Sequence, residues 1–193
     1  MGGGNSSLFD NNLKLRTVSC NMTTGYNDRT CTNGKGGIKS VILFPLGNVS
    51  ASTITNNEVT SLTVTGEVFQ YKLKSNLSSY TAPIQVNKDN GTLWYTQTLT
   101  MILASDTKEL RSEIHLLAQN EVVCIVEKAS GEYVALGFGE GLQVADGSAY
   151  GSGVLKSDSN GHDIVLTGME NDEVPDVDAS VVASLLTQQS PSI

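Results

Sequence analysis

Ser40-Val41-Ile42-Leu43-Phe44 is a run of apolar residues stopped by Pro45 and Gly47. A strand exposes successive side chains on opposite faces, so a run with no polar alternation must be covered on both sides. Glu121-Val122-Val123-Cys124-Ile125-Val126-Glu127 begins a hairpin that turns at Ser130-Gly131 and returns through Tyr133-Val134-Ala135-Leu136-Gly137.

Around them lie segments with the period of half-buried strands. In Glu58 to Thr65, Leu62 and Val64 alternate with Ser61, Thr63 and Thr65. From Val68 to Lys74, Phe69, Tyr71 and Leu73 form an apolar face opposite Val68, Gln70, Lys72 and Lys74. Pro83-Ile84-Gln85-Val86 leads through Asp89-Asn90-Gly91 into the long strand Thr92 to Leu103. The Asn-Gly pair offers the positive φ angles that a hairpin reversal needs. Trp94 and Tyr95 are neighbours and so occupy opposite faces, which leaves little aromatic platform for stacking a sugar.

One segment changes period. Leu110, Ile114 and Leu117 recur at helical spacing, joined by Leu116 and Ala118, with Lys108, Arg111, Glu113 and Gln119 opposite. Asp106 as N-cap and Glu109 three residues later form a capping box, predicting a helix over about 106–119 that lies on a sheet. The fold class is therefore mainly β, an antiparallel β-sandwich or barrel with one packed α-helix.

The chain divides into three parts. Residues 1–37 are polar and glycine-rich around one short apolar segment, Leu13 to Val18, and read as a flexible arm or long loop. Residues 38–170 are the β domain. Residues 171–193 begin as an acidic linker containing Asp172, Glu173, Asp176 and Asp178 and end in the apolar patch Ala179 to Leu186. That patch is too short to be a stable helix alone. Either it folds against a neighbour, making Val181, Val182, Leu185 and Leu186 candidate assembly contacts, or it frays.

Composition limits the function. Among 193 residues, 39 % are hydrophobic and only 17 % charged, and twelve Lys plus Arg against twenty Asp plus Glu give a net charge of −8. Affinity for phosphate backbones comes from clustered cations, so tight nucleic-acid binding is not expected. A carboxylate-lined passage would instead let DNA slide without sticking. Cys20, Cys31 and Cys124 are an odd set with no C-x-x-C pair and read as free thiols, with a Cys20 to Cys31 bridge as the alternative. No stretch approaches the roughly 18 apolar residues of a membrane span.

A search for catalytic chemistry gives only weak matches. His115 lies mid-helix and His162 follows a turn, and structural roles are expected for both. Gly151-Ser152-Gly153 lacks the helix that a nucleophile elbow requires. Gly137, Gly139 and Gly141 have phosphate-loop character but lead into a strand, whereas a phosphate loop works through the helix that follows it. Asp158 to Asp163 begins like a calcium loop, but Met169 stands where the bidentate Glu belongs. We expect no enzyme activity, no cofactor and no metal.

The order and spacing of Glu109 to Val123, Gly131-Glu132-Tyr133-Val134-Ala135-Leu136-Gly137, Glu140-Gly141-Leu142, Gly151-Ser152-Gly153, Asn160-Gly161-His162 and Leu166-Thr167-Gly168 resemble tail-tube and tail-ring virion proteins of tailed bacteriophages. The forms they most resemble belong to phages of Bacteroidota, including the crAss-like group. The resemblance spans about residues 40–170. It implies a structural virion protein, made in the host cytoplasm and located in the tail. Its partners would be its own copies in a hexameric or twelvefold ring, adjacent tail or portal proteins, and DNA passing through without sequence-specific binding or membrane insertion. The glycine-rich first forty residues and the apolar end depart from the pattern and suggest a specialised ring or adaptor. The alternative is a monomeric β-sandwich module binding carbohydrate or a host surface.

Overall fold

The computed structural model describes residues 36–73, 77–152 and 160–190. The segment Leu13 to Val18, the pair Cys20 and Cys31, and nearly all of the expected arm lie outside the described residues, as do Asp158 and Ser159 of the calcium-loop-like stretch.

Strand β1 (Ile38–Pro45) contains the apolar run, and its two faces enter two separate cores. Val41 and Leu43 belong to one, Ile42 and Phe44 to the other, and none of the four is more than 2 % exposed. β8 (Val122–Lys128) and β9 (Tyr133–Leu136) repeat this division. Val122, Cys124, Val126, Val134 and Leu136 join the first core, while Val123, Ile125 and Ala135 join the second. Burial pushes the Cys124 thiol far above its usual range, so it behaves as a small apolar side chain.

These strands sit within a seven-stranded sheet of order β2-β3-β13-β9-β8-β1-β4. The others are β2 (Val49–Thr55), β3 (Glu58–Val64), β4 (Phe69–Lys72) and β13 (Asp176–Val177). A second, six-stranded sheet runs β10-β12-β7-β5, with β11 also on β12 and β6 also on β7. It comprises β5 (Ser79–Thr81), β6 (Ile84–Asn87), β7 (Thr92–Leu103), β10 (Gln143–Val144), β11 (Ala149–Gly151) and β12 (Gly161–Glu170). Leu99, Met101 and Leu103 of β7 and Ile164 and Leu166 of β12 face the larger sheet and complete the first core. The protein is thus a mainly β sandwich, as the alternation predicts.

Helix α1 (Lys108–Leu117) packs Leu110, Ile114 and Leu117 onto the first core, while Leu116 is 52 % exposed and not part of the apolar stripe. Its cap also differs from the expected one. The Thr107 hydroxyl accepts from Leu110 N–H, and Asp106 is left outside the helix with its carboxylate free for other partners. Both residue types cap well, and sequence spacing alone does not separate adjacent candidates.

The end of the chain is not a linker and a loose patch. β13 inserts between β3 and β9, parallel to the first and antiparallel to the second. Helix α2 (Ala179–Leu186) then covers the outer face of the large sheet, capped by Asp178, whose carboxylate accepts from Ser180 N–H at 2.7 Å. Val181, Val182 and Leu185 are at most 5 % exposed against Ile42, Phe44, Val59 and Leu62, and Leu186 packs beside them. The second face that β1 demands is therefore covered by the chain's own C-terminal helix, and the domain extends to residue 190. Val68, assigned by alternation to the wet face, is also fully buried in this core, where it pairs with Gln189.

Turn chemistry sets the hairpins. Gly131 (φ +94°) reverses β8 into β9. Asn87 and Thr92 are the last pair of the β6–β7 hairpin, so its loop has four residues; only Gly91 takes a positive φ, and Asn87 Oδ1 accepts from the Asp89 and Asn90 amides. The two-residue reversal with both φ positive is instead Asn56-Asn57 (φ 53° and 61°), between Thr55 and Glu58.

Candidate assembly surfaces and buried polar sites

The glycine loop after β9 binds an anion that the chain itself supplies. The Glu170 carboxylate, at the end of β12 and only 6 % exposed, accepts from the backbone N–H groups of Gly139 (3.1 and 3.2 Å), Glu140 (2.9 Å) and Gly141 (3.2 Å). Successive amides converging on one point form an anion-binding concavity. A Cβ on Gly139 would lie 2.5 Å from Glu170 Oε2, so glycine there is required by the carboxylate's approach. The first glycine of the series, Gly137, donates its N–H to the Oε1 of buried Gln97 at 2.8 Å. The phosphate-loop character of the sequence thus reflects real amide geometry, occupied here by an internal carboxylate.

A second polar group ties α1 to the β11–β12 ribbon. Asp106 receives a two-pronged contact from Arg111, with Nε at 2.6 Å from Oδ1 and Nη2 on Oδ2. His162 Nε2 lies 3.5 Å from Asp106 Oδ1 and is buried without a hydrogen-bond partner. The Tyr150 ring stacks at a tilt on His162 (centroids 5.0 Å apart) and sits 5.6 Å from the Arg111 guanidinium. The hydrogen bond from Arg111 holds the Asp106 carboxyl down at about 2, and the bond to Asp106 raises the Tyr150 hydroxyl. The group is an electrostatic clasp in which the carboxylate is already neutralised by arginine. His115, by contrast, is exposed on α1 with its Nε2 3.1 Å from Gln119 Nε2. Among the described residues no three His, Cys, Asp or Glu side chains are placed to hold a metal ion. No helix among them is long and apolar enough to cross a membrane.

Surfaces suited to association lie elsewhere than predicted. Val181, Val182 and Leu185 are consumed by the intramolecular core and are not available as assembly contacts. Among the described residues, two strand edges combine open backbone with exposed apolar side chains. β2 pairs with β3 on one side, has no partner strand on the other among the described residues, and has six of its seven residues exposed, including Ile54 at 50 %. It holds no charged residue and no proline. These are among the devices that normally blunt a sheet edge, and inward charges or a covering helix are others.

The other edge is the β6–β7 hairpin. β12 stops at Glu170, opposite Tyr95, so β7 residues 92–94 are paired only by β6. Leu93 shares the core-facing parity of Gln97, Leu99 and Met101, and Val86 stands directly across from it. Beyond the sandwich that inner face is uncovered, with Ile84 52 %, Val86 56 % and Leu93 48 % exposed. Sequence reading recognised this hairpin but not its protrusion, because only the end of β12 reveals where the sheet stops. Trp94 and Gln85 form the opposite face.

Glycines at two of the quoted motifs are explained by close approach. A Cβ on Gly161 would lie 1.9 Å from Leu103 O, and one on Gly168 would lie 2.4 Å from Gly141 O. Compared with known proteins, the chain matches no family model, no curated protein and no solved structure.

Proposed function

We propose that this protein is a structural subunit that acts by self-association, as a tube or ring component of a bacteriophage tail through which the genome is ejected. The observation that carries the self-association is the β2 edge, a seven-residue strand without charge or proline whose outer backbone groups can accept another strand. Heterologous contacts of this kind, repeated head to tail, close into rings when the rotation permits. The net charge of −8 suits a passage that DNA must traverse without adhering. The assignment to a phage tail rests on the order and spacing of the segments quoted above. Its partners would be further copies in the ring and the neighbouring tail or portal proteins.

Negative-stain electron microscopy and light scattering of the purified full chain over a wide concentration range test this reading. Closed rings or stacked tubes with an axial opening are the expected result. A monodisperse monomer at every concentration, alone or with a neighbouring tail protein, would sink it.

A further inference from the structure

Resting on that self-association reading, we infer that the contact between copies is heterologous: the β6–β7 hairpin of one molecule docks on the β2 edge of the next. Two features lead to a second copy as occupant. The first is charge. In a chain of net charge −8, residues 41–57 contain no charged side chain, and the only charged residues in 77–105 are Lys88 and Asp89, side by side at the hairpin turn. These two segments hold β2 and β5–β7, so like-charged copies can meet there with little repulsion. The second is area. Three half-exposed side chains on the hairpin make up only a fraction of the roughly 800 Å² per partner of a standard interface. The β2 edge, with Ile54 as its one large exposed apolar residue, is likewise too small alone. A single contact that joins the two covers both and satisfies the free backbone of each.

Symmetric alternatives leave something exposed. Pairing β2 with β2 makes a closed dimer and leaves Ile84, Val86 and Leu93 in water, while pairing hairpin with hairpin leaves the β2 backbone unpaired. The head-to-tail contact uses both surfaces in a single interface and also repeats around a ring.

The test is complementation between two full-length variants, each changed only at exposed positions. One carries Ser52→Lys and Ile54→Lys on β2, the other Val86→Lys and Leu93→Lys on the hairpin. Sedimentation velocity on each, with melting curves matching the unmodified chain, gives the result. Each variant alone is expected to be monomeric, its association weakened at least about 100-fold by an unpaired charge in the contact. Mixed, they are expected to form a one-to-one complex and nothing larger, because each supplies the surface the other lacks. Dimers of the β2 variant alone would mean hairpin-to-hairpin contact, and dimers of the hairpin variant alone would mean β2-to-β2 contact; either overturns the inference. So does a mixture that remains monomeric while the unmodified protein assembles. A monomeric unmodified protein would instead remove the self-association reading itself.

Discussion

Replacing Glu170 probes the point at which the glycine loop, the end of β12 and the base of the β6–β7 hairpin are held together. In Glu170→Gln one oxygen still accepts, but the charge is lost and an NH2 group faces the amide donors of the loop. A hydrogen bond to a charged group contributes about 1.5–3 kcal/mol, and two of the three donors sit at 3.1–3.2 Å, towards the weak end. The expected loss for the amide is therefore about 2 kcal/mol. Glu170→Ala leaves the Gly139, Glu140 and Gly141 N–H groups without acceptors at about 1–3 kcal/mol each, of which entering water recovers part, so about 3–5 kcal/mol is expected. With a urea slope near 2 kcal/mol/M, the midpoint falls by about 1 M for the first and about 2 M for the second. Formate or acetate should restore part of the alanine variant's stability by occupying the vacated concavity, since a ligand bound only to the folded state stabilises it. Urea titration with and without added carboxylate measures both effects. An alanine variant within about 0.5 kcal/mol of the unmodified protein, or one indifferent to carboxylate, would refute the account of the loop as an anion site.

Ending the chain after Glu170 removes β13 and α2 and uncovers Ile42, Phe44 and Val59; losing Val177, Val181, Val182 and Leu185 at about 1.5–3 kcal/mol each matches the whole stability of a domain, so the truncated chain should show no cooperative melt by circular dichroism. Thr107→Ala should cost about 1 kcal/mol in chemical denaturation, whereas Asp106→Asn should leave the cap intact and release Arg111 instead. The Asp106 carboxyl is depressed, so its contribution is complete above the usual carboxylate value near 3.8 and disappears as pH falls towards about 2. In Arg111→Ala, carboxyl NMR should show its titration moving back up. Asn57→Gly should raise the melting temperature by relieving a left-handed non-glycine residue in the β2–β3 turn, by an amount equivalent to a few tenths of a kcal/mol.

Local chemistry made several elements legible in advance. The unbroken run in β1 requires burial on both faces because side-chain alternation admits no other arrangement. Leu110, Ile114 and Leu117 specify a helix by their spacing, and Gly131 specifies a reversal. Asn56-Asn57, both with positive φ, carries a turn signal of the same kind as Asn90-Gly91. The loop containing Gly137, Gly139 and Gly141 was not legible as an anion site, because no helix follows it and its carboxylate comes from β12, some thirty residues along the chain.

By itself, then, the sequence determined the mainly β architecture, the amphipathic α1 and the net acidity, all properties of short windows or of composition. Only the tertiary structure decided what covers each face. β13 is two residues long in an acidic stretch, and α2 is eight residues with no strength of its own, so neither has a local signal; both exist because β3, β9 and the outer face of β1 offer them partners. The same long-range pairing removed Val181, Val182 and Leu185 from the surface and left β2 and the β6–β7 hairpin exposed in their place. Which apolar residues remain for another molecule is fixed last, by whatever the chain has not already buried against itself.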